Sequence, residues 1–353
     1  MTTAGVVDVH SHAIACRLPA LDEAHPYDRW PSVTRTGERT AEIRVGRRHF
    51  RDIDDRCWSP SRRIEDMDRE GVAVQVLSPV PITLCHHAPA AGASELAQAQ
   101  NDFLAGMVDA APGRFKALGA VPLQEPTAAV AELRRCVEDL GFLGVEIGTS
   151  VGGRELADPS LEMFFSAAAD LDALVFVHPD EVLQAPRLAP LGLSFGVGIP
   201  VETAIAASAL LASGLLERFG NLRVCLAHGG GALAMMLPRI ERGWSLDLAP
   251  AGPRSVLPAG AAARRFYVDS LTYDDAALDL ILRRFGENHV MLGTDYPFAA
   301  REYPPGEVLT SSGRFPKSVV DAVQAGNVTA LPRWRSGVEL NLSDVEKKGD
   351  CDG

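Results

Sequence analysis

Val6-Val7-Asp8-Val9-His10-Ser11-His12 is the stretch on which the fold turns. It is short, rich in valine and nearly continuous in apolar character, as a strand covered on both faces of a parallel sheet must be. Side chains alternate along a strand with a period of two, so His10 and His12 share one side. Working outward, seven more runs of the same kind follow at 72–78, 116–122, 144–148, 174–178, 223–228, 265–270 and 290–295. Between them lie helical segments with their own start and stop signals. One spans 59–71, from Ser59-Pro60 to Gly71; another spans 125–140, from Glu125-Pro126 to Gly141. A long Ala/Leu-rich helix is expected over 200–219, and 274–285 opens on an Asp pair and ends at Gly286. Eight strands alternating with helices predict an α/β fold, a closed (β/α)8 barrel of the TIM type. An open doubly wound sheet is the alternative, but no G-x-G-x-x-G follows the first strand.

The chain has 353 residues and 46% hydrophobic content, which suits one large barrel domain, expected over 1–334. An unusually long connection, 13–58, follows the first strand and contains two alternating runs, 41–45 and 49–53, around Gly46. That pattern predicts a β-hairpin insertion covering the mouth of the barrel. The stretch 335–353 reads as a polar tail. A net charge of −12 argues against nucleic acid or an anionic membrane as partner. Six scattered cysteines without a C-x-x-C pair read as reduced thiols. The first residues lack a basic, apolar leader, and no stretch approaches the roughly 20 apolar residues of a membrane span. These features point to a cytoplasmic protein.

The notable polar residues fall at strand ends, where a barrel keeps its chemistry. His10 and His12 end the first run, His178 the fifth, His228 the sixth and Asp295 the eighth. Two imidazoles on one strand face, a third His and a carboxylate make a mixed N/O set for one zinc, whose bound water would be acidified toward neutrality. His228 is the natural general base, because imidazole titrates near neutral pH. Taken singly, each residue has a plainer reading, as a packed histidine or a turn aspartate. Four strand ends supplying such residues together favour the metal site. His86 and His87 lie on the loop after the second strand and are expected to be solvated, with a substrate contact as the alternative. His25, His49 and His289 read as surface or packing residues.

The ordered set His10-Ser11-His12, Val177-His178-Pro179, Ala227-His228-Gly229-Gly230-Gly231 and Leu292-Gly293-Thr294-Asp295-Tyr296-Pro297-Phe298 resembles the amidohydrolase-related decarboxylases. The resemblance is strongest to the 2-amino-3-carboxymuconate-6-semialdehyde decarboxylases among them. It runs from His10 to about Asn327 and includes Phe50-Arg51 and Arg63-Ile64-Glu65-Asp66-Met67-Asp68. It implies one zinc on His10, His12, His178 and Asp295, with His228 as acid/base beside Asp295 in the catalytic set. It also implies that Arg51 and Arg239 grip substrate carboxylates, Arg239 reaching into the neighbouring subunit of a homodimer. A His3Asp set suits other divalent ions as well as zinc. The two-metal amidohydrolases use a bridging carboxylated lysine at the end of the fourth strand, and Gly144-Val145-Glu146-Ile147-Gly148 has none. Glu146 is the remaining candidate bridge, so one metal is the better reading.

Departures from the family pattern cluster where a substrate would be read. Asp180 follows His178-Pro179 where relatives carry Trp, the loop 181–195 lacks their tryptophans, and Ala299-Ala300-Arg301-Glu302 replaces Pro-Leu-Gly-Glu. The resemblance therefore implies a metal-dependent, non-oxidative decarboxylase of 2-amino-3-carboxymuconate-6-semialdehyde or a related unsaturated or aromatic amino-carboxylate. The alternatives are a mononuclear-zinc hydrolase of a lactone or amide, an aryl-carboxylate decarboxylase of a biosynthetic pathway, and a non-catalytic barrel.

Overall fold

All eight apolar runs become strands of one parallel sheet: β1 (Val6–Ala13), β2 (Val72–Pro79), β3 (Phe115–Ala120), β4 (Gly144–Ile147), β5 (Leu174–Val177), β6 (Arg223–Leu226), β7 (Tyr267–Asp269) and β8 (Val290–Met291). They follow one another in sequence order around the sheet. The structure is a computed structural model and describes residues 5–21, 28–182, 185–246, 248 and 255–336. The sheet closes on itself through backbone bonds from Val9 N–H to Leu292 O (2.8 Å), His12 N–H to Tyr296 O (2.7 Å) and Asp295 N–H to His10 O (2.8 Å). This is the expected (β/α)8 barrel, and the open-sheet alternative falls away.

Two cores result, as a barrel demands. Val7, Val9, Val76, Leu118, Phe176 and Met291 fill the inside, and Ala325, Val328 and Leu331 pack against them. A larger core lies between the strands and the outer helices, with Phe115, Phe164, Leu210, Leu226 and Phe285 completely buried. The β1–β2 register shifts between Asp8 and Ser11. Such a bulge changes which residues face inward. Val7 and Val9 therefore belong to the inner core, whereas His10 and His12 take over the inward face beyond it.

The helix signals operate as written in the sequence. Ser59 Oγ accepts from Arg62 N–H at the start of the helix Pro60–Glu70. Asp274 accepts from Ala277 N–H at the start of Asp275–Phe285. The long helix stops earlier than expected: Ile199–Ser213 ends at Gly214, whose φ of 67° a glycine takes without strain, and Leu215–Arg218 is a separate turn. The expectation that no stretch approaches a membrane span is too strong, since Ser194–Ser213 is long and apolar enough by composition. Its Thr203, Ala206, Ala207 and Leu210 are buried against the barrel, which explains the apolar character.

The insertion after β1 holds the expected hairpin, Thr40–Val45 with Arg48–Asp54, and a third antiparallel strand, Pro31–Arg35, which the sequence reading missed. Ile43 and Ile53 from this sheet, and Cys57 from the turn after it, pack with Ile14, Val80 and Phe298. That contact ties the insertion to the ends of β1 and β2. Cys16, Cys57, Cys85, Cys136 and Cys225 are free thiols. Cys351, His25 and the tail beyond Ser336 lie outside the described residues.

Candidate metal centre and active-site cavity

β1 delivers His10 and His12, β5 ends at His178, β6 ends just before His228, and Asp295 follows β8. One donor atom from each of His10, His12, His178 and Asp295 lies within 4.8 Å of every other. The ring centroids of the three histidines are 5.0–5.1 Å apart. Asp295 Oδ1 is 3.3 Å from His12 Nε2 and 3.7 Å from His10 Nε2.

What surrounds these rings decides which nitrogen faces the centre. His10 Nδ1 meets Asp269 Oδ2 at 2.7 Å, His12 Nδ1 meets the Pro79 carbonyl at 3.0 Å, and His178 Nδ1 meets the Pro179 carbonyl at 3.0 Å. An acceptor at Nδ1 calls for the proton there and leaves Nε2 with a bare lone pair. His10 Nε2 and His12 Nε2 then face each other at 3.1 Å, and His178 Nε2 is buried without a partner. Lone pairs held this close around a carboxylate repel unless a cation sits among them. The donor set therefore fits a divalent metal ion.

The electrostatics agree. Burial opposes a charge on His10, but the Asp269 carboxylate outweighs it and pushes the group up to about 9, marking a place that draws positive charge. Burial holds His12 and His178 below the usual histidine range. Asp295 stays below the usual carboxylate range despite burial, because the His12 and His10 rings stand against it.

Asp269 is the residue that sequence reasoning missed. It is completely buried and takes four bonds: His10 Nδ1, the backbone N–H of His228 (2.9 Å) and Gly229 (2.8 Å), and that of Leu271 (3.1 Å). It orients one ring of the centre and fixes the His228 backbone, which sits at a φ of 56°. The signal was available: Asp269 is the next-to-last residue of the strand expected over 265–270, close to a strand end as His178 is. Asp8 has a related duty. Its carboxylate accepts from His10 N–H, Thr294 N–H and Thr294 Oγ1, stitching β1 to the turn that carries Asp295.

His228 stands with its ring centroid 4.9 Å from that of His178 and 5.2 Å from that of His10, and its Nδ1 makes no hydrogen bond. Burial, helped by the His10 ring beside it, lowers it to about 4, which favours the neutral imidazole. Glu146, the candidate bridge, approaches His12 from behind, with Oε2 3.8 Å from Nδ1 rather than Nε2. Burial pushes its carboxyl up to about 8.

A cavity of about 1040 Å³ opens over the centre, lined by Arg51, His178, Asp180, His228, Asp295 and Phe298 among others. Arg51 comes from the insertion sheet. Its guanidinium lies 4.1 Å from the Phe298 ring centroid, and Phe298 in turn stacks on His12. No carboxylate among the described residues pairs with Arg51. Arg239 is elsewhere: it lies exposed on the helix Leu233–Ser245 and takes no part in the cavity wall. His86 is not solvated as expected. It is 1% exposed, and burial lowers it to about 3. His87 faces Glu181 at 3.6 Å. His49 is half-exposed beside Asp52, and His289 packs on Tyr267.

With barrel and centre in place, the likeness to known proteins has a structural footing. The amidohydrolase family matches residues 7–330, and the chain belongs to that family, among its decarboxylases. It is 37% identical over 327 residues to the 2-amino-3-carboxymuconate-6-semialdehyde decarboxylase of Dictyostelium discoideum, covering 91% of this chain and 89% of that protein. It is 30% identical over 254 residues to the gamma-resorcylate decarboxylase of a Polaromonas species, covering 67% of this chain and 76% of that one. A solved dihydroxybenzoic acid decarboxylase from Polaromonas, holding manganese and 2-nitroresorcinol, superposes with a TM-score of 0.71 at 24% identity, over 78% of this chain and 87% of that one.

Proposed function

We propose that this protein is a metal-dependent, non-oxidative decarboxylase of 2-amino-3-carboxymuconate-6-semialdehyde or a closely related unsaturated or aromatic amino-carboxylate. One observation carries the reading: Arg51, which has no carboxylate partner among the described residues, shares a cavity with His228, whose Nδ1 is unpartnered, and with a centre of three inward Nε2 atoms and one carboxylate. A hydrolase of a lactone or amide needs no such cation over the centre.

His10, His12, His178 and Asp295 would hold one zinc per chain, or another divalent ion. When bound, the metal supplies a positive charge that polarises oxygen and draws electron density toward the centre. Arg51 grips the substrate carboxylate with a planar fork suited to two oxygens. Phe298, held between Arg51 and His12, fixes the distance from that grip to the centre. His228 takes a proton at its free nitrogen and returns it to the carbon that loses CO2. The carbon–carboxylate bond breaks, its electron pair ends in the new C–H bond, and one proton is consumed per CO2 released.

The protein is further proposed to act as a homodimer. Met235, 72% exposed, and Met236, 38% exposed, accompany Arg239 on one helix. A second copy covering that face would carry Arg239 to the neighbouring cavity. The matched span and the insertion residues on the cavity wall support one barrel domain over 1–334, with 13–58 covering its mouth. Free cysteines are in keeping with a cytoplasmic location.

The test is CO2 release, together with loss of near-UV absorbance, when metal-analysed protein meets freshly generated 2-amino-3-carboxymuconate-6-semialdehyde. Turnover in wild type with a KM raised by about 10- to 100-fold in Arg51→Ala upholds the reaction and the grip. Its absence from protein carrying one metal per chain turns the assay to 2,6-dihydroxybenzoate and other aryl carboxylates. That second reading draws on the 30% identity to the gamma-resorcylate decarboxylase.

A further inference from the structure

We infer that Asp180 receives an amino or hydroxyl hydrogen-bond donor of the ligand, and so selects carboxylic acids that carry one. The inference rests on the decarboxylase reading only in taking the ligand to be a carboxylate. Asp180 follows His178 by two residues and lines the same cavity as Arg51 and His228. Its carboxylate stands directly above Gly148, just beyond the end of β4. A Cβ at Gly148 would come within 2.5 Å of Asp180 Oδ1, 2.8 Å of Cγ and 3.0 Å of Oδ2. The glycine thus makes the space that the carboxylate occupies, and packing sets where the carboxylate points.

One oxygen of the group is placed but not answered. Asp180 Oδ1 is buried without a hydrogen-bond partner. Backbone N–H groups of Thr149 and of Asp180 itself reach the carboxylate, but no side chain among the described residues bonds or pairs with it. The charged groups around it are engaged with each other: Arg29 pairs with Glu181, and His87 also faces Glu181. A buried acceptor left without a donor is costly, and such groups normally find a partner in the protein or in what the protein binds.

Arg51 presents the complementary case on the same cavity, a guanidinium resting on Phe298 with no carboxylate partner among the described residues. Arg51 and Asp180 do not pair with each other, since no ion pair joins them within 4 Å. A single ligand answers both when it carries a carboxylate at one end and an N–H or O–H donor at the other. An amino- or hydroxy-substituted unsaturated acid has that form, and a plain carboxylic acid does not.

The experiment is calorimetric titration of the purified, metal-loaded protein with 4-aminobenzoate, 4-hydroxybenzoate and benzoate, so that binding is read without turnover. Wild type is expected to hold the two donor-bearing acids about 10- to 100-fold more tightly than benzoate, the range of a hydrogen bond to a charged group. Asp180→Ala should bring the three affinities together, while Arg51→Ala should weaken all three by a similar factor. Should Asp180→Ala fail to fold, Asp180→Asn keeps the shape and removes the charge, and is expected to lose at least threefold of the preference. Equal binding of the three acids to wild type overturns the inference and leaves the carboxylate reading standing. An undiminished preference in the Asp180 variants does the same. Failure of all three acids to bind wild type overturns both.

Discussion

The histidine–aspartate centre and the wall above it differ in how far the protein satisfies its own polar groups. In the centre, every ring nitrogen turned away from the cavity has an acceptor: Asp269 for His10, the Pro79 carbonyl for His12 and the Pro179 carbonyl for His178. Asp8 and Asp269 then tie those strands to their neighbours. On the wall, among the described residues, Arg51 has an aromatic face but no carboxylate partner, and Asp180 Oδ1 has a place but no donor. The centre is built on strand ends, whose positions the closed sheet dictates, whereas the wall is built on an insertion and loops. The difference teaches that the protein satisfies the groups behind the proposed metal centre and leaves open those on the wall proposed to meet a ligand.

The sharpest way to break this comparison is to remove a metal-facing group. His10→Ala or Asp295→Ala should lose bound metal and at least a thousandfold of turnover, read together by elemental analysis and a CO2 assay. Chelation of the wild type should give the same loss, reversed by adding back zinc or manganese. His228→Ala is expected to lower kcat by about 10²- to 10⁴-fold with metal content unchanged. Simultaneous loss of metal would move His228 into the ligand set.

Asp269→Asn probes the completed side of the comparison. Groups that orient a metal-bound histidine typically contribute 10- to 100-fold in metal affinity. Competition with a chelator should show about that weakening, and an unchanged affinity would remove Asp269 from its orienting role. On the open side, Arg51→Ala should raise KM by about 10- to 100-fold while metal content stays intact. Mixing it with Arg239→Ala adds a test of the dimer. A heterodimer keeps one cavity with both arginines, so activity returns on mixing only if Arg239 crosses between subunits. The smallest effect lies far from both regions. Asp274→Ala removes a helix cap and should cost about 1 kcal/mol in stability, with turnover unchanged.

Legibility follows the same division. His10, His12, His178 and Asp295 could be read because strand period and strand ends are local properties of the chain. Asp269 followed the same rule and was still passed over, because a lone aspartate shows its four bonds only when β6 and β7 lie side by side. His86 was misjudged for a related reason. Its loop is polar in sequence, but its burial comes from what the fold places around it. The strand Pro31–Arg35 was hidden because its side chains are mostly exposed, so no apolar alternation marks it.

By itself the sequence determined the barrel and the identity of the groups at its strand ends. Apolar runs of the right length, capped helices and inward histidines leave few other ways to bury the same surface. Only the tertiary structure decided which nitrogen of each ring faces inward, that Arg51 arrives over Phe298, and that Asp180 stands above a glycine with its Oδ1 unpartnered among the described residues. Those facts depend on acceptors, rings and gaps contributed from distant parts of the chain, and nothing local to a residue records them.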